Sequence, residues 1–123
     1  MGTWGSGNFD NDTAGEYLAG VVGRLVDEVA EAMAGDPVGI EPDEYWGVVV
    51  PCNVELLTAL ADAGHGAGSL PTPAVVEEWR RAYIDVWERT IDELEPTPGH
   101  RAERRAILDR TFEGLARAAA AGG

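Results

Sequence analysis

Four stretches of this chain repeat apolar residues every three or four positions, and glycine or proline closes most of them. That spacing commits the sequence to amphipathic helices packed on one another. In the first stretch Leu18, Val21, Val22, Leu25, Val29 and Met33 share one face, and Gly35 and Pro37 follow, so a helix is expected over 14–34. Thr13-Ala14-Gly15-Glu16 reads as its capping box, with Thr13 and Glu16 satisfying each other's free amides. In the third, Thr72-Pro73 opens a helix over 73–95 whose inward stripe is Val76, Trp79, Tyr83, Val86, Trp87, Ile91 and Leu94. "PTPG" stops it. A fourth helix is expected over 100–120, with Ile107, Leu108, Thr111, Phe112, Leu115 and Ala119 inward, before an alanine-rich end and Gly122-Gly123 that fray.

The second stretch, "EYWGVVVPCNVELLTALADAGHG", gives a mixed signal. Val54, Leu57, Leu60 and Ala61 keep helical spacing and Gly64 is a natural stop, so 52–63 reads as helix. Val48, Val49 and Val50 favour a strand and Pro51 interrupts a helix. Residues 46–50 are therefore either a kinked first half, with Asp43 as a cap, or a short extended piece. The expectation is an all-α single domain over 1–123. It comprises an irregular N-terminal arm, 1–12, packed on a four-helix bundle, 13–120. In the arm, Gly5 and Gly7 are expected to take backbone conformations other residues avoid, while Trp4 and Phe9 pin the segment to the core.

The opening "MGTWGSGNFDNDTAGEY" resembles the N-terminus of a bacterial family, domain of unknown function forty-two fifty-nine. The shared pattern is M-G-x-W-G-x-G-x-F-x-N-D-x-A, matched here by Met1, Gly2, Trp4, Gly5, Gly7, Phe9, Asn11, Asp12 and Ala14. The resemblance extends more loosely along the chain and implies helix rather than strand around "WGVVVPCN". It implies no activity.

Charge narrows the function. The net charge is −13. Residues 1–78 hold fourteen carboxylates against Arg24 alone, and residues 79–123 balance eight against eight. Nucleic-acid binding needs basic groups to neutralise phosphates, and this surface lacks them. The arginines at 101, 104, 105, 110 and 117 alternate with Glu103, Asp109 and Glu113, the pattern of a salt-bridged solvated face. No apolar run reaches the roughly 20 residues of a membrane span. No basic, apolar leader opens the chain, and Cys52 has no partner for an intrachain disulfide. The reading is of a soluble cytoplasmic protein.

Candidate chemistry is thin. Asp10 and Asp12 are the weak candidates for a metal site, but the spacing fails an EF-hand and suits turn and cap duty. "GSGNFD" lacks the third glycine of a dinucleotide loop. Glu28/Glu31, Glu41/Glu44, Asp85/Glu88 and Asp92/Glu95 share helix faces as Mg²⁺-binding pairs do, yet solvated faces explain them better. Cys52 and His65 lie at opposite ends of a helix, too far apart for nucleophile and base, and Cys52 reads as a small buried hydrophobe. His100 falls at a helix start. The Trp79, Tyr83, Trp87 stripe reads as core.

No cofactor and no catalytic residue are expected. The sequence favours a non-enzymatic, acidic protein-binding module meeting a basic protein, as small acidic toxin-neutralising proteins do. Tyr45, Trp46, Glu28 and Glu31 are its candidate contacts, and Trp4, Gly5, Gly7, Phe9, Asn11, Asp12, Thr13 and Glu16 form a structural motif. The alternative is a divalent-metal-dependent enzyme or small-ligand binder built on the N-terminal Asp/Asn cluster and the acidic pairs.

Overall fold

The computed structural model describes residues 2–35 and 40–122; Met1 of the arm motif, Pro37 and Gly123 lie outside them. The protein is all-α, a bundle of α1 (Asp12–Met33), α2 (Tyr45–Asp62), α3 (Pro73–Thr90) and α4 (Pro98–Gly122). Short 3-10 turns at Ala67–Ser69 and Ile91–Leu94 precede α3 and follow it. Among the described residues no helix is long and apolar enough to cross a membrane.

Helices α1 and α2 form an antiparallel pair: Asn53, midway along α2, donates to Leu25 O and Glu28 Oε1 of α1. Helices α3 and α4 form a second, with Arg80 near the start of α3 meeting Asp109 and Glu88 meeting Arg101. The two pairs join through α2 and α4, and α4 also packs on α3. Val22, Val29, Val50, Val54, Leu57, Val76, Trp87, Leu108, Phe112 and Leu115 fill the space between them. The Trp79, Tyr83, Trp87 stripe lies in this core, and the Tyr83 ring packs tilted against Phe112 at 5.6 Å. Leu94 departs from its expected inward place: the helix tightens at Ile91, and Leu94 ends exposed before Glu95, at φ 52. Ile107 and Thr111 are half-buried and line an outer groove.

Helix α1 starts two residues earlier than its capping box implied. The cap is Asn11, extended at φ −154, whose side chain accepts from Ala14 N at 2.9 Å. Asparagine caps at least as well as threonine, so Thr13 and Glu16 are left inside the helix and exposed. Helix α2 ends where Gly64 predicted. Gly64 N donates to Ala61 O and His65 N to Leu60 O, the paired bonds of a Schellman stop, with Gly64 at φ +85.

The arm is a closed hairpin rather than a segment pinned to the core. Trp4 N donates to Asp10 O, Asp12 N to Gly2 O, and Thr3 bridges Asn11. The Asp12 carboxylate accepts from Gly2 N at 2.7 Å and that of Asp10 from Gly7 N at 2.9 Å. These bonds hold the arm to itself, so the rings need not anchor it. Trp4 is 64% exposed, and Phe9, also exposed, lies 4.4 Å from His65. Gly5 and Gly7 do not use the left-handed region. A Cβ at these positions would sit 2.5 Å and 2.7 Å from Asp10 Oδ2, so the Asp10 carboxylate would have to swing away.

Gly20 and Gly23, inside α1, face open space. Alanine there recovers helix propensity without a clash. Gly20→Ala and Gly23→Ala are each expected to raise stability by about 0.5–1 kcal/mol, seen as a higher urea midpoint with unchanged slope.

Candidate partner-binding surface

Proline at position 51 lies inside α2. It has no N–H, so the carbonyl four residues back, Gly47 O, loses its helical partner. A buried carbonyl without a donor costs about 1–3 kcal/mol. The Tyr83 hydroxyl, reaching across from α3, donates to Gly47 O. Burial pushes the Tyr83 phenol up to about 12, keeping it a donor. Gly47 is pressed on its other side by the chain entering the helix, where a Cβ would stand 1.8 Å from Glu41 O. Ile40, buried, holds that crossing segment. Residues 46–50 are therefore helical, the β-branched valines notwithstanding.

This clamp fixes the first turn of α2 and what it shows to water. Tyr45 is 70% exposed and Trp46 41% exposed, edge-on to each other at 5.0 Å. Val48 is exposed beside them, and Asp43 and Glu44, also exposed, precede them. Residues 25–79 contain eleven carboxylates and no lysine or arginine. Aromatic faces attract ammonium and guanidinium groups through their quadrupoles, and carboxylates bind the same groups directly.

The other candidate residues lie elsewhere. Glu31 is exposed on α1, whereas Glu28 is turned to Asn53 and ties α1 to α2. Asp10 and Asp12 are both engaged on backbone amides. Among the described residues no three His, Cys, Asp or Glu side chains converge as metal ligands would. Cys52 was expected to be buried, and it is exposed. The weak amphipathic pattern of α2 did not reveal which of its faces meets water. His65 lies beyond the end of α2 against Phe9. His100 N donates to Thr97 at the start of α4.

Glu88 and Asp92, one from each acidic pair, serve an ion-pair chain that spacing within α4 alone did not suggest. Glu77, Arg80, Asp109, Arg105, Glu88, Arg101 and Asp92 follow one another from α3 to α4 and back. Arg105 Nε lies 3.2 Å from Asp109 Oδ2 but off the line of a hydrogen bond. Arg101 sits 5.3 Å over the Trp87 ring. The Arg101 guanidinium, with Arg105, holds the Glu88 carboxyl below its ordinary value, and Arg80 does the same to Glu77.

A lowered native value means the unfolded chain binds more protons in acid. The stabilisation is present above the ordinary value of 4.5 and is lost as pH falls through the depressed values. Both carboxylates are a third or more exposed, so solvent screens each pair and its contribution to stability is small. Glu88→Gln is expected to flatten the fall in urea midpoint between about pH 5 and pH 3.

Comparison of the chain with protein-family models, curated proteins and solved structures finds no match in any of the three.

Proposed function

We propose that the protein is a non-enzymatic binding module and that the exposed Tyr45–Trp46 turn of α2 receives a basic protein partner. The observation that carries this reading is the placement of two edge-on, solvent-facing aromatic rings on a clamped helical turn. That turn lies within the 55-residue stretch that has no cationic side chain of Lys or Arg. A lysine or arginine of the partner seats on the rings, and the flanking carboxylates supply charge-assisted hydrogen bonds. The acidic field speeds the encounter. Neutralisation of a basic toxin is one form such an encounter takes. A lone exposed thiol, Cys52, suits a reducing compartment, and the cytoplasm is the proposed setting. The arm motif is the ground for proposing membership of the forty-two fifty-nine family.

The test is affinity capture from source lysate with three immobilised proteins: the unaltered chain, Tyr45→Ser/Trp46→Ser, and Tyr17→Ser. Tyr17 is an equally exposed tyrosine on α1 and serves as control. The expected result is a discrete basic protein that salt elutes, that the double variant fails to hold and that the control retains. Capture indifferent to salt, or equally impaired by Tyr17→Ser, overturns the proposal.

A further inference from the structure

The outer side of the α2–α4 junction carries an open groove of about 460 Å³. Glu55 and Asp62 stand on its α2 wall, and Arg110 and Arg117 on its α4 wall. All four are exposed. Among the described residues none of them takes part in an ion pair, although the other arginines of α4 at 101 and 105 do. The two helices run the same way along the groove. Its larger part sets Glu55 to Asp62 beside Ile107 to Arg117, and its far end sets Asp62 beside Arg117, Ala118 and Ala121. Gly114 of α4 faces Thr58 of α2, where a Cβ would stand 3.5 Å from it, and both charged rows have a spacing of seven, two helical turns, so Glu55 stands about level with Arg110 and Asp62 with Arg117.

We infer that this groove is the interface of a homodimer, with a two-fold axis along the groove. A face with an acidic row on one wall and a matching basic row on the other is its own complement under that rotation. Rotation about the axis places α2 of one copy over α4 of the other, parallel to it. Glu55 then meets the partner's Arg110, and Asp62 the partner's Arg117, twice over. An axis across the helices would instead set acid on acid. The floor is small, with Ala59 and Gly114, so helices can approach closely.

Charge singles out the occupant. With a net charge of −13, two copies repel wherever carboxylates face carboxylates, while these four side chains sum to zero. The basic partner proposed above would meet Arg110 and Arg117 here, so the groove is separate from the Tyr45–Trp46 surface and the inference does not rest on that reading.

Sedimentation velocity on the full chain, from about 1 to 100 µM, tests it. The expected species is a dimer of the 13.1 kDa chain. Arg110→Glu/Arg117→Glu and Glu55→Arg/Asp62→Arg should each weaken the dimer about a hundredfold or more, since like charges then face each other. An equimolar mixture of the two variants should dimerise again, because every wall then meets its opposite. The quadruple variant should dimerise alone. Circular dichroism checks that each variant is helical. If a reversal variant is not, Arg110→Gln/Arg117→Gln takes its place, with at least about a tenfold loss expected. An unaltered chain that stays monomeric, a dimer that survives either reversal, or a mixture that stays monomeric overturns the inference.

Discussion

Gly47→Ala is expected to remove about 3 kcal/mol or more of stability, a large share of the 5–15 kcal/mol typical of a domain. Two effects oppose each other. Alanine in a helix gains about 1 kcal/mol over glycine. Its Cβ, however, would stand 1.8 Å from Glu41 O, a backbone atom that moves only with the whole segment leading into α2. That segment is held by buried Ile40, and the Gly47 carbonyl is held by Tyr83, so neither side can yield alone. The clash wins. The same substitution at Gly20 or Gly23 has the opposite sign because nothing lies within 4 Å there. Urea unfolding of the three variants side by side separates helix propensity from the steric role of position 47.

Trp87→Ala is the second large effect, with an expected loss of about 3–5 kcal/mol. Trp87 is almost wholly buried within the core cluster. Its removal leaves a cavity that the surrounding rigid side chains fill only in part. It also takes the ring from beneath Arg101, whose cation–π contact at 5.3 Å is worth about 0.5–1 kcal/mol at an exposed site. The cavity therefore dominates. Arg101→Ala, which removes that contact and two ion pairs but opens no cavity, should cost no more than about a third as much by the same urea measurement.

Helices α1 and α3 were legible because their apolar stripes are strong, and α4 because Leu108, Phe112, Leu115 and Ala119, all buried, keep helical spacing. The first half of α2 was not. Three β-branched residues and a proline signal strand or break, and what overrides them is a hydroxyl from α3, 36 positions away in sequence. A rule was nevertheless available: a proline within a helix frees the carbonyl four positions earlier, and some donor must answer it. The ion-pair chain was also readable in principle. Glu88 and Asp92 are four apart near the end of one helix, and Arg101 and Arg105 four apart near the start of the next, which a short turn brings face to face. The arm's glycines were read as conformational and are steric, because sequence does not show that Asp10 folds back onto them. Of the candidate contacts, Tyr45 and Trp46 stand open to water. Glu28 is drawn inward by Asn53, a polar residue whose burial at 5% no local pattern revealed.

The Tyr45–Trp46 turn is displayed only if α2 runs unbroken through Pro51, with Tyr83 replacing the missing donor. A double-mutant cycle on Tyr83→Phe and Pro51→Ala measures this directly. In the unaltered background Tyr83→Phe should cost about 1–3 kcal/mol, the penalty of an orphaned carbonyl. In the Pro51→Ala background the N–H restored to the backbone there takes Gly47 O, so the same change should cost less than half as much, a coupling of about 1 kcal/mol or more. Equal cost in both backgrounds would contradict the clamp.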